Sequence, residues 1–204
     1  MMKGWLTLFL CFLSLALPAQ EEAKALLERT AEAVRSSEGI VATFSVQAQG
    51  ETGEGTIWLR GSKFKLETEG IVTWFDGRTQ WTLVEATEEV NVSEPSAEEL
   101  QAINPYAWLS LYKQGYSVKF ADEANAGERA IVMTSTRPRT DMQCIVLVIN
   151  ERTLAPVRLT MAGRGGRDVA VIFIRSYDAT RKYPEEMFTF PAAEYPEVEV
   201  VDLR

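Results

Sequence analysis

The stretch GTIWLRGSKFKLETEGIVTWFDGRTQW, Gly55 to Trp81, decides the reading of this 204-residue chain. Turn residues at Gly61, Gly70 and Asp76-Gly77 divide it into short runs. In the second run Phe64 and Leu66 alternate with Lys65 and Glu67, the period-2 pattern of a strand. Asp76-Gly77 is a hairpin signal, and TQWTLVEA returns from it. Trp58, Trp74 and Trp81 therefore fall on neighbouring strands, with no obvious catalytic group among them. The alternation predicts that Trp58, Phe64, Leu66, Trp74, Trp81 and Leu83 share one face of a sheet.

Outward from this stretch, strand patterns continue in both directions. IVATFSVQAQG precedes it and EEVNVSEP follows. YSVKFAD, RAIVMTST, CIVLVINE, PVRLTMAG and DVAVIFIRSYD come later, and VEVVDL is a final short strand. Two segments break the series. Glu21 to Gly39 places Ala23, Leu26, Leu27, Ala31 and Val34 on one apolar stripe, which predicts a helix stopped by Gly39. Ser96 to Gly115 also reads as helical, opened by a Ser96/Glu99 capping box and broken at Asn104-Pro105. Its second half is apolar nearly all round, with Tyr106, Trp108, Leu109, Leu111 and Tyr112, so something must cover it. The expected fold is mainly β with helices: one antiparallel sheet of about 10–11 strands, curled into an incomplete barrel, with an N-terminal helix and a helical lid.

Residues 1–19 read as a secretory signal, with Lys3, an apolar run from Trp5 to Leu17, and Leu17-Pro18-Ala19 before the cut. One domain from Gln20 to Arg204 would remain, with Cys144 as its lone cysteine. Export without an internal disulfide fits a bacterial envelope protein. The formal charge of −8 falls one unit lower without Lys3, which argues against nucleic acid as a partner. The chain has no histidine, and so no Ser-His-Asp or Cys-His arrangement and none of the commonest metal ligand. No cofactor is expected. The carboxylate pairs Glu88-Glu89, Glu98-Glu99 and Glu185-Glu186 are adjacent in sequence, and on a strand such neighbours face opposite ways. They make poor acid/base dyads, and no enzyme is expected.

Pattern alone leaves two readings of the aromatics open: a plain packed core, or the lining of an apolar ligand cavity. The order GTIWLRGSKFKLE, WFDGRTQW, EEVNV and NPYAWLSLYKQGY, with the ending FTFPAAEYPEVEVVDLR, resembles the outer-membrane lipoprotein carrier (LolA) family from residue 22 to 204. The resemblance implies a monomeric periplasmic carrier. Such a carrier takes acylated lipoproteins from an inner-membrane ABC-type release complex and passes them to an outer-membrane acceptor. It makes Trp58, Phe64, Leu66, Trp74, Trp81, Leu83, Tyr106, Trp108, Leu109 and Tyr112 the expected lipid-binding set. It also marks Arg60 as a lid latch, because family members carry an arginine near this strand end that bonds lid backbone. Here the arginine sits one position early, and a one-residue shift on a strand reverses the face. Two related readings stay open: a carrier of free lipid or glycolipid, and a lipid-sensing module. Sensors of that kind usually carry further domains or an anchor, which are not expected here.

Overall fold

The computed structural model describes residues 16–96, 99–100, 108–109, 111–121, 124–137, 140, 142–163, 165 and 168–204, and the side chains of all these except 16–18 and 168. Helix α1 (Ala16–Arg35) begins inside the stretch read as a leader and ends four residues before Gly39. Gly39 serves a different need from the expected stop. A Cβ there would meet the Arg181 carbonyl oxygen and the Tyr183 ring, both at 2.8 Å, so its role is close packing. Ala23, Leu26, Leu27 and Val34 are buried on one stripe of α1, as the spacing requires. Thr30 is buried among them, and its hydroxyl donates to the Leu26 carbonyl at 2.9 Å. Among the described residues no helix is long and apolar enough to cross a membrane.

Six strands follow: β1 (Ile40–Ala48), β2 (Glu51–Arg60), β3 (Lys63–Thr68), β4 (Ile71–Phe75), β5 (Gln80–Val84) and β6 (Glu89–Ser93). After the Ser96–Gln114 region come β7 (Tyr116–Phe120), β8 (Glu128–Ser135), β9 (Cys144–Asn150), β10 (Pro156–Ala162) and β11 (Asp168–Asp178), then β12 (Glu199–Asp202). All join one sheet of 12 strands in the order β12-β6-β5-β4-β3-β2-β1-β11-β10-β9-β8-β7. Two antiparallel meanders are thus joined where β11 pairs with β1. The sheet stays open, because β7 and β12 are its two edges. This is the expected incomplete barrel, with one more strand than the upper expectation of eleven. The final run, VEVVDL, forms β12 as expected, a four-residue edge strand that runs parallel to β6.

The local chemistry explains the turns. In the β4–β5 hairpin, Asp76 Oδ1 accepts from the backbone N–H of Arg78 and of Thr79, and Gly77 takes φ +103°. At Ser96 the expected capping box forms. Its backbone N–H and hydroxyl donate to Glu99 Oε2 at 2.8 and 2.7 Å, and Glu99 N–H donates back to the Ser96 hydroxyl. These bonds hold the Glu99 carboxyl below the usual carboxylate range.

The inner face of the sheet is apolar from β1 to β4 and from β7 to β11, and the α1 stripe fills it. Two rows of paired residues make this visible. Ile40, Leu59, Phe64 and Phe75 form one, and Phe120, Ile131, Leu147, Leu159 and Ile172 the other. At β5 and β6 the inner face turns polar, with Gln80, Thr82, Asn91 and Ser93. There the polarity of the two faces inverts. The outer side carries Val72, Trp74, Leu83, Val90 and Val92 as a second buried cluster. The C-terminal segment covers it: Phe190 and Tyr195 pack their rings on Trp74 at 5.4 and 6.1 Å.

Candidate functional site

Between the inner face and the helical elements lies an apolar cavity of about 60 Å³. Leu59 and Ile57 of β2, Val34 of α1, and Trp108 with Leu109 line one side. Leu147, Leu159, Ile172, Ile174 and Tyr177 line the other. Leu109 is buried and Trp108 half-buried, so the Trp108–Leu109 turn acts as a cover. The free space holds only a few water-sized bodies.

The structure divides the expected lipid-binding set. Trp108 and Leu109 reach the cavity wall. Phe64 and Leu66 lie on the same inner face; Phe64 is fully buried against Phe75, with ring centroids 5.3 Å apart. Trp58, Trp74, Trp81 and Leu83 lie on the opposite face, which corrects the expectation that the six strand residues share one. The cause is register. Leu59 pairs with Phe64, so Trp58 pairs with Lys65, then Lys65 with Trp74 and Trp74 with Trp81. Lys65 lies over the Trp58 and Trp74 rings at 5.4 and 5.7 Å, a cation–π contact on the outer side.

Tyr112 belongs to a 3-10 turn (Leu111–Gln114), and its hydroxyl donates to Glu28 Oε1 at 2.7 Å. It ties the chain after Leu109 to α1. Burial and the Glu28 carboxylate push its pKa up to about 12. Tyr106 lies outside the described residues.

Among the described residues Arg60 makes its contacts with the C-terminal segment rather than with the cover. Its guanidinium donates to the Tyr183 carbonyl oxygen at 2.7 Å and pairs with Glu185 at 3.2 Å. Lys63 also pairs with Glu185. Arg60 lies on the outer face, as Leu59 beside it lies on the inner one, and it fastens the C-terminal segment to the sheet.

Several cavity residues escaped the sequence reading. Leu147, Leu159 and Ile172 belong to strands already identified, and their alternation was available. Tyr177 was not legible in that way. A register shift lets Ile174 pair with Phe44 and Tyr177 with Ala42, so two residues three apart share the inner face. Burial pushes the Tyr177 phenol up to about 12, which keeps it a neutral hydroxyl.

An open sheet holding an apolar cavity beneath a short helical cover has a sequence counterpart. The family described as outer membrane lipoprotein carrier protein LolA matches residues 13–166. The chain belongs to this LolA family.

Solved structures agree at the level of fold. An uncharacterized conserved protein from Thermus thermophilus superposes with a TM-score of 0.66 at 13% identity, covering 89% of this chain and 99% of that one. MucB superposes at 0.51 with 19% identity, over 89% of this chain and 66% of its own. A chain of the Pseudomonas aeruginosa MucA/MucB complex gives 0.51 at 17% identity, over 88% of this chain and 63% of its own. Among curated proteins no sequence match is found.

Proposed function

We propose that this LolA-family chain is a periplasmic carrier with no catalytic step. It would shield the acyl chains of lipoproteins and move them from the inner to the outer membrane. The observation that carries the reading is the apolar cavity under Trp108 and Leu109. Each methylene withdrawn from water is worth about 0.8 kcal/mol, so one long acyl chain represents roughly 12 kcal/mol. Unshielded transit is prohibitive on that scale. A site that is apolar apart from Arg158 at its edge holds a chain about as well as a membrane does and can therefore also release it. Closing the empty cavity down to a few water-sized bodies hides apolar surface that would otherwise face water.

The donor in this reading is an inner-membrane ABC-type release complex, and the acceptor lies in the outer membrane. The family match supports both. The test is to express the protein with its leader in a bacterial periplasm, purify it without detergent and record native mass spectra. A co-purifying acylated protein, lost on Trp108→Glu and kept on Trp58→Glu, is the expected result. A folded protein that emerges empty and takes up no acyl probe would contradict it.

A further inference from the structure

The cavity does not end blindly at β10. The β10–β11 ladder begins only at Arg158, paired with Phe173. Beyond it the last part of β11, from Ile174 to Asp178, pairs with β1 alone. Pro156 and a register shift before Arg158 disturb the start of β10 on its other side as well. The sheet is therefore slit between the start of β10 and the end of β11. Outside the slit lies an open groove of about 680 Å³. Arg158 and Ile174 line both the groove and the cavity, so the two spaces adjoin through that wall.

The two spaces differ in chemistry. Apart from Arg158 at its edge, the cavity is walled by apolar and aromatic side chains, whereas Arg158 and Arg175 both line the groove. Neither guanidinium has a carboxylate partner among the described residues. Arg158 is exposed, and Arg175 donates to the Ser45 hydroxyl at 3.1 Å and lies 5.5 Å from the Phe173 ring. Among the described residues Glu128 is the one carboxylate in the wall, and it accepts from Asn125 Nδ2 at 2.9 Å. On a protein of net charge −8, two unpaired cations at the mouth of an apolar cavity stand out.

We infer that the cavity takes an anionic amphiphile, its acyl chain inside and its carboxylate or phosphate head group passing through the slit to Arg158 and Arg175. This rests on the carrier reading and narrows its cargo. A charge-assisted bond from guanidinium to carboxylate or phosphate supplies the preference for a charged head.

The test titrates the protein with parinaric acid, a fluorescent fatty acid, and with its methyl ester, which has the same chain and no charge. The acid should bind about tenfold tighter than the ester, with a preference that weakens in salt. Arg158→Gln combined with Arg175→Gln should remove the preference, so that acid and ester bind alike, with the thermal melt as a check on folding. Displacement by a lysophosphatidic acid, compared with a saturated fatty acid, shows whether phosphate or carboxylate is the better head. Equal binding of acid and ester to the unaltered protein would overturn the inference while leaving the carrier reading standing. Binding of neither would sink both.

Discussion

Trp58 and Phe64 sit six residues apart on the two strands of one hairpin and lie on opposite faces of the sheet, because the register pairs Trp58 with Lys65 and Phe64 with Leu59. One faces the C-terminal side with Lys65 and Trp74, and the other faces the filled interior. The tryptophan-rich stretch therefore does two jobs. Its phenylalanines and leucines build the interior, and Trp74 seats the C-terminal segment.

Trp74 is 2% exposed and anchors the outer cluster. Trp74→Ala should cost about 3–5 kcal/mol in urea unfolding. Acyl-probe affinity of the folded fraction should stay as it was, since Trp74 does not reach the cavity. A specific loss of probe binding without destabilisation would place the ligand on the outer face.

Arg60 fastens Tyr183 and Glu185 from a partly exposed position. Arg60→Ala should lower stability by about 1 kcal/mol and expose the chain after residue 179 to limited proteolysis. Acyl binding should not change. Faster probe uptake at unaltered stability would restore Arg60 as a latch on the cover.

Tyr177 and Tyr112 both contribute to a loss of stability at alkaline pH. Both phenols lie at about 12 when folded, against an ordinary value of 10.0. The folded state keeps protons that the unfolded chain gives up, so their contribution is complete below pH 10.0 and is lost as pH rises towards about 12. Melting temperatures recorded across that window should fall, and Tyr177→Phe should flatten the fall. An identical decline in the variant would show that Tyr177 is not held protonated by burial.

Gly55 faces Phe44 across the β1–β2 ladder, and a Cβ there would meet the Phe44 ring at 2.5 Å and the Glu67 carbonyl oxygen at 2.8 Å. Gly55→Ala should therefore destabilise by about 1–3 kcal/mol, read by chemical unfolding. A neutral result would mean that Phe44 has room to move aside.

Much of the architecture was legible because it depends on local pattern. Every strand-like run, the α1 stripe, the Asp76-Gly77 hairpin and the Ser96/Glu99 cap appear where their residues called for them. Facing was harder. Ile57, Trp58 and Leu59 are all apolar, so period 2 cannot choose which of them looks inward; cross-strand register makes that choice. The inversion at β5 and β6 depends on Phe190 and Tyr195, about a hundred residues further on in the chain. Tyr177 was hidden by a bulge, a backbone event that leaves no composition signal. Arg158 was passed over because a lone strand arginine looks solvated until the slit beside it is known.

The carrier reading requires an acyl chain in the space under Trp108 and Leu109. The most direct measurement is photolabelling with a fatty acid that carries a diazirine near its methyl end, followed by peptide mapping. Adducts on Trp108, on Leu147 and on the stretch from Ile172 to Tyr177 are the predicted result. Adducts confined to Trp74, Trp81 and Tyr195 would contradict it, because those side chains lie on the other face of the sheet.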